Sequence, residues 1–322
     1  MSILSHSRKP DGETVPFPTP RRYPNDFLSV DVEDYFHVEA FADRISRVDW
    51  GTFSSRVRPN TERTLRIFAE YGCRGTFFVL GWVAERDPKL VRAIADAGHE
   101  IACHSYSHRR VTTLSPEEFR QDLQRARRAI EDAAGVRVQG YRAPTFSIGR
   151  QNLWALDILS EEGFLYDSSI FPIRHDLYGF PGSPRFAYSV PCRTGKTLLE
   201  IPMTTVRMLG ATWPVGGGGY LRLLPMSYTR WAIQRIHRTD RQPFVLYLHP
   251  WELDPDQPRV KAKWKSRFRH YRGLDVMEGR LRQLLSSGRF APMIDSVSQL
   301  SSSGTTSPLA PFPLSLANSV AP

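Results

Sequence analysis

Residues 99–134 read HEIACHSYSHRRVTTLSPEEFRQDLQRARRAIEDAA, and this stretch decides the fold class. HEIACH (99–104) is a short apolar run with polar ends, the pattern of a buried strand. A Ser115–Glu118 capping box, with Pro116 at the first helical position, opens a helix over 115–134. Phe119, Leu123, Ala126 and Ile130 recur along it at helical spacing. VRVQGYR (136–142) then reads as the next strand. Strand, helix, strand in that order predicts two parallel strands joined by a crossover.

The same alternation extends in both directions. FLSVDV (27–32), GTFFVL (75–80), FLYDSS (164–169), LLEIPM (198–203), FVLYLH (244–249) and FAPMID (290–295) read as strands. Helical spacing predicts helices over 61–71, 88–97, 151–162, 225–238 and 276–287. The pattern predicts an α/β fold, a (β/α) barrel of seven or eight strands. Residues 170–225 fit least well, with Pro172, Pro181, Pro184, Pro191, Pro202 and the run Gly216–Gly219, and read as a loop-rich insertion with room for a short hairpin. Proline and serine crowd 1–25 and 301–322, which read as disordered tails around one domain at 26–300.

A chain of 322 residues with 41% hydrophobic and 24% charged residues excludes collagen, coiled-coil rods and wholesale disorder. The first twenty residues contain no apolar signal-peptide core and no run of 18 apolar residues occurs, so a cytoplasmic location is expected. Cys73, Cys103 and Cys192 are an odd number without a CxxC, which favours buried free thiols. The net charge of +10 is local, because Arg259–Arg272 carries seven basic and no acidic residues. That patch suits an acidic glycan or anionic head groups at the inner membrane surface, and a solvated cationic loop is preferred to nucleic-acid binding.

Polar residues stand at or near the C-terminal ends of five of these strands: Asp31, His104, Arg142, Asp167 and His249. In a β/α barrel those ends open on one face, where active sites of that architecture lie. HSYSH (104–108) spaces two histidines four apart, a spacing that brings both imidazoles to one side of a helical turn. DVED (31–34) adds three carboxylates after an apolar strand. One carboxylate with His104 and His108 makes a three-ligand zinc site with a position left for water. His99 falls at the other end of its strand and reads as structural.

The order SVDVED, GHEIACHSYSH, YRAP, YDSS and LYLHP resembles the polysaccharide deacetylases, the carbohydrate esterases with the NodB homology domain. SVDVEDYFHVEAF, YRAPTFSI, YDSSIFP, LEIPM, FVLYLHPWELDP and FRHY resemble a branch found in exopolysaccharide loci linked to exosortase/PEP-CTERM sorting, with 250–300 as its own C-terminal part. The resemblance implies a distorted NodB-type barrel that removes N-acetyl groups from an amino-sugar polysaccharide or its lipid-linked precursor, with a divalent metal, zinc by preference. It implies that Asp31 is the general base, paired with Arg142, and that His104 and His108 hold the metal. It further implies that His249 is the general acid, oriented by Asp167, with the Thr145 backbone N–H at the oxyanion. The family's second aspartate is replaced by Val32, so the third ligand is open between Glu33, which strand alternation favours, and Asp34, which a turn at Val32 would bring in. Ile170 and Phe171 stand where a family tryptophan is usual. Tyr35–His37 and Trp213–Tyr220 offer aromatic faces for a sugar or ordinary core. Two other functions are weighed: hydrolysis of another linear amide, of formamide or ureido type, and a non-catalytic carbohydrate- or polyanion-binding protein. Retention of every polar residue in the set argues against the last.

Overall fold

Strand β1 (Asp26–Val32) is buried along its whole length and has partners on both sides. The computed structural model describes residues 25–297, so the expected tails lie outside the described residues apart from Asn25. The further strands are β2 (Thr76–Val79), β3 (Glu100–Cys103), β4 (Gly140–Tyr141), β5 (Tyr166–Asp167), β6 (Tyr188–Pro191), β7 (Thr197–Glu200), β8 (Thr205–Met208), β9 (Ala211–Pro214), β10 (Val245–Leu248) and β11 (Phe290–Ala291). The α-helices are α1 (Val57–Glu70), α2 (Gly81–Arg86), α3 (Pro88–Asp96), α4 (Pro116–Ala134), α5 (Trp154–Glu161), α6 (Gly218–Leu223), α7 (Met226–Arg235), α8 (Trp264–Tyr271) and α9 (Leu274–Leu285). All eight strands and six helices expected from the sequence occur, with shifted ends.

The main sheet runs β10-β1-β2-β3-β4-β5-β7-β6, with β11 beside the start of β1. The seven strands from β10 to β7 are parallel, and β6 is antiparallel to β7. Alternate side chains face two layers. Val30, Val32, Phe77, Val79, Ile101, Cys103 and Tyr141 pack with the helices. Phe27, Phe78, Ala102, Tyr166, Leu199 and Tyr247 fill the inside of the curl. The sheet and its helices form the distorted β/α barrel expected from the sequence. All three cysteines are free and buried.

The gap between β7 and β10 is filled by irregular chain. The Tyr247 N–H donates to the Gly216 carbonyl (2.8 Å) and the Val245 N–H to the Thr204 hydroxyl (2.6 Å). A Cβ at Gly216 would lie 1.9 Å from the Val245 carbonyl oxygen, so this approach requires glycine. The stretch 170–225 is therefore more ordered than its loop-rich reading: it holds the β6–β7 and β8–β9 hairpins and α6. The basic stretch is likewise not all loop, since 264–271 forms α8. Among the described residues, no helix is long and apolar enough to cross a membrane.

Two glycine substitutions should act with opposite sign. Gly216→Ala should cost more than about 2 kcal/mol, because backbone must move. Gly279→Ala, in α9 with nothing within 4 Å of the new methyl, should stabilise by about 0.5–1 kcal/mol through helix propensity. Denaturant midpoints at constant m-value measure both.

Candidate active site

Asp31 pairs in register with Phe78 and so points into the curl. Arg142, at the end of β4, enters the same space with no exposed surface. Its Nη1 donates to Asp31 Oδ1 (2.7 Å) and Ser29 Oγ (3.0 Å), its Nη2 to Ser168 Oγ (3.1 Å), and its guanidinium lies 4.1 Å from the Phe78 ring centre. The expected Asp31–Arg142 pair is thus a buried ion pair.

Glu33 lies on the same side as Asp31 and meets His104 and His108, with one ligand atom of each within 4.8 Å of the others. His104 Nδ1 lies 2.8 Å from the Arg142 carbonyl, which can only accept, so Nδ1 carries the proton and Nε2 keeps its lone pair. Burial lowers the His104 pKa to about 4, which keeps the imidazole neutral. Glu33 Oε2 is 3.0 Å from His108 Nε2, yet no hydrogen bond reaches this buried oxygen. Burial raises the Glu33 pKa, but contact with the His108 imidazole, with His249 behind it, holds it well below the carboxylate range. A buried ionised carboxylate with an unsatisfied oxygen, beside two imidazole nitrogens, is a donor set that fits a divalent cation.

The structure corrects Asp34. Its side chain points away and accepts from the Ser55 hydroxyl (2.8 Å) and the Arg56 (2.7 Å) and Val57 (3.0 Å) amides, closing the start of α1. The His104–His108 segment is not a helical turn either. Ser105 (φ 69°) and His108 (φ 51°) are left-handed, and the chain doubles back to bring the two rings 5.4 Å apart.

Asp167 is the second correction. It pairs in register with Tyr141, which packs on Phe119 of α4, so both face the helices and not the curl. Asp167 sits beside Glu200 on the neighbouring strand. Burial raises both carboxyls; the Asp167 charge and contact raise Glu200 further, while the Glu200 contact draws Asp167 down, so Glu200 keeps the proton of the pair. The carboxylate on His249 is instead Glu252, whose Oε2 lies 3.2 Å from His249 Nδ1 and accepts the His249 N–H (3.0 Å). Glu252 is anchored by Arg222 Nε (2.8 Å), and a Cβ at Gly218 would lie 1.8 Å from its carboxylate. Burial raises the Glu252 pKa, but Arg222 and His249 bring it down to about 2. Burial lowers that of His249, but Glu252, Glu33 and Asp31 together raise it to about 9. His249 Nε2 faces Glu33 (3.5 Å) and Asp31 (3.9 Å). The signal for Glu252 was in HPWE: a glutamate three residues after His249 has the spacing that returns a side chain to the backbone N–H.

Asp31, Glu33, His104, His108 and His249 line a cavity of about 190 Å³. Thr145 lies on its wall in a left-handed conformation (φ 57°), unusual for a β-branched residue. Its aromatic walls are Phe146, Tyr178, Tyr247 and Trp251, and Trp251 Nε1 donates to Glu33 Oε1 (3.2 Å). Of the aromatic stretches singled out from sequence, Tyr35 and Phe36 are core and Trp213 stands on the β8–β9 hairpin.

Residues 46–163 match the family described as polysaccharide deacetylase. Residues 168–298 match a second family, described as a domain of unknown function, DUF3473. Peptidoglycan deacetylase-like protein FGM2 of Gibberella zeae is 34% identical over 137 residues, 41% of this chain and 39% of that protein. Peptidoglycan-N-acetylglucosamine deacetylase of Bacillus cereus is 28% identical over 145 residues, 41% of this chain and 51% of that protein. The chain thus spans about half or less of these relatives. Its fold is similar to that of a Mycobacterium smegmatis protein assigned as a polysaccharide deacetylase (TM-score 0.57, 23% identity, 91% and 96% of the chains covered). It is also similar to Puue allantoinase (TM-score 0.58, 17% identity, 94% and 100% covered). The first matched segment contains His104, His108 and Arg142, while His249 and Glu252 come from the second and Asp31 and Glu33 precede both.

Glu33→Gln should abolish stoichiometric uptake of a divalent cation, measured by elemental analysis. Asp34→Asn should keep the metal and lose about 1–3 kcal/mol of stability, the cost of unpaired amides at α1. The Asp167–Glu200 pair should respond to pH. Both pKa values are raised on folding, so its stabilising share is present in acid and is lost as pH rises through the folded values. Glu200→Gln should flatten that fall in a melting series across pH.

Proposed function

We propose that this protein is a metal-dependent N-deacetylase of an amino-sugar polysaccharide. The observation that carries the reading is one cavity holding Glu33, His104 and His108 beside the Arg142-bound Asp31 and His249. A divalent cation there, zinc by the chemistry of the donor set, would supply a Lewis acid for an amide carbonyl and a more acidic water.

The chain's own residues fit the remaining roles. Asp31, its rotamer fixed by Arg142, accepts the proton of water as the oxygen adds to the acetamide carbon. Thr145, on the cavity wall, would offer its N–H to the oxygen of that carbon. His249 Nε2 delivers a proton to the nitrogen as the C–N bond breaks, and Glu252 holds Nδ1 so that Nε2 faces the cavity. Acetate and an amino sugar result. Phe146, Tyr178, Tyr247 and Trp251 offer apolar faces to the sugar ring.

We assign the basic stretch to the glycan rather than to head groups, because Arg269 and His270 of α8 line the cavity. Lys261, Lys265 and Arg267 are exposed next to them and suit a polymer with acidic groups, as an exopolysaccharide substrate would provide.

Acetate release from chitooligosaccharides, peptidoglycan fragments and an acidic N-acetylated exopolysaccharide tests the proposal. The zinc-loaded protein should act on at least one and stop on chelation. Hydrolysis only of formamides or ureido compounds would replace it with the linear-amide alternative. His249→Ala should retain zinc and lower turnover about 10²–10⁴-fold, the share of general acid catalysis.

A further inference from the structure

The β8–β9 hairpin has no part in the cavity. Register pairs Met208 with Ala211, so Leu209 and Gly210 form a two-residue turn. Both are left-handed, at φ 51° and 73°. Such turns favour Asn-Gly or Asp-Gly, and a branched apolar residue at positive φ is strained. Here the strained position presents a leucine that is 94% exposed. Trp213 and Trp231 flank it, 44% and 41% exposed, and Trp213 Nε1 donates to the Met208 carbonyl (3.3 Å). A groove of about 430 Å³ joins the hairpin tip to Trp231 and Arg235 of α7.

The charge around this tip has one sign. From residue 201 to 239 the sequence has five arginines and no carboxylate, and Asp240 is paired with Arg185. Arg207, Arg235, Arg238 and Arg241 are exposed and have no ion-pair partner among the described residues. A convex apolar tip flanked by tryptophans and unpaired arginines matches a bilayer interface, where leucine enters the acyl boundary, indole stays at head-group depth and arginine meets lipid phosphate.

We infer that the β8–β9 hairpin and α7 form a docking surface for an anionic lipid bilayer. α7 leads by a short link into the start of β10, whereas the cavity lies at the ends of the strands. The docked protein therefore holds its cavity away from the bilayer and open to a polymer in the aqueous phase.

Co-sedimentation of the full chain with vesicles of phosphatidylcholine containing about one-third phosphatidylglycerol tests this. The protein should bind these vesicles and not pure phosphatidylcholine, and 1 M salt should release it, since screening then acts within about 3 Å. Leu209→Asp, and separately Arg207→Gln with Arg235→Gln, should lower partitioning, the double variant by about 30-fold. Acetate release should be unchanged, and a protein without deacetylase activity should still bind. The inference is overturned by absent vesicle binding, by wild-type binding of both variants, or by loss of binding only in a Lys261→Gln, Lys265→Gln, Arg267→Gln variant. It is also overturned if the wild type forms a dimer that Leu209→Asp abolishes, for then the tip seats a second copy.

Discussion

A guanidinium with no exposed surface sits inside the curl of the sheet, and the rest of the site is arranged around its neutralisation. Arg142 cannot shed its charge, so the interior must supply an anion and hydroxyls to its remaining donors. Asp31, Ser29 and Ser168 do so from β1 and from the chain after β5. Removing one partner of such a buried pair costs about 3–5 kcal/mol, because the other is left charged and unpaired. The same residue turns its carbonyl to His104 and so selects that ring's tautomer. One side chain and its own backbone thus set both the carboxylate and a nitrogen of the candidate metal site.

Much of this was legible in the sequence, because buried parallel strands are short apolar runs and their C-terminal ends share one rim. Asp31, His104, Arg142 and His249 followed from that rule alone. What failed was the face. Asp167 stands at the correct end of β5, but a strand end does not say which way a side chain points, and the register with Tyr141 turns it to the helices. Glu33 and Asp34 were separated by the same quantity, since period-two alternation continues one residue past β1. HSYSH converges for a reason that spacing does not encode, two left-handed residues in an irregular segment. Glu252 was missed because the reading stopped at strand ends, and its carboxylate returns from the next turn.

The boundary between the two matched segments cuts through the chemistry. Residues 168–298 complete the parallel sheet with β7 and β10 and bring the histidine, its carboxylate and the arginine behind that carboxylate. Arg222 also donates to the carbonyls of Arg269 and His270, so α8 on the cavity rim and Glu252 behind His249 share one anchor. The glycine run that leads into and opens α6 gives this shell room, because Gly218 lies where any side chain would enter the Glu252 carboxylate.

The place of β1 between β2 and β10 has a consequence for synthesis. Its second neighbour is far away in sequence: the Ser29 hydroxyl bonds a carbonyl 217 residues downstream. A chain leaving the ribosome therefore holds β1 with one unpaired edge until β10 has emerged. Such edges template association between chains, and distant pairings close slowly. Asp31 and Glu33 remain without His249 through that interval, so the candidate site is complete only once β10 has paired with β1.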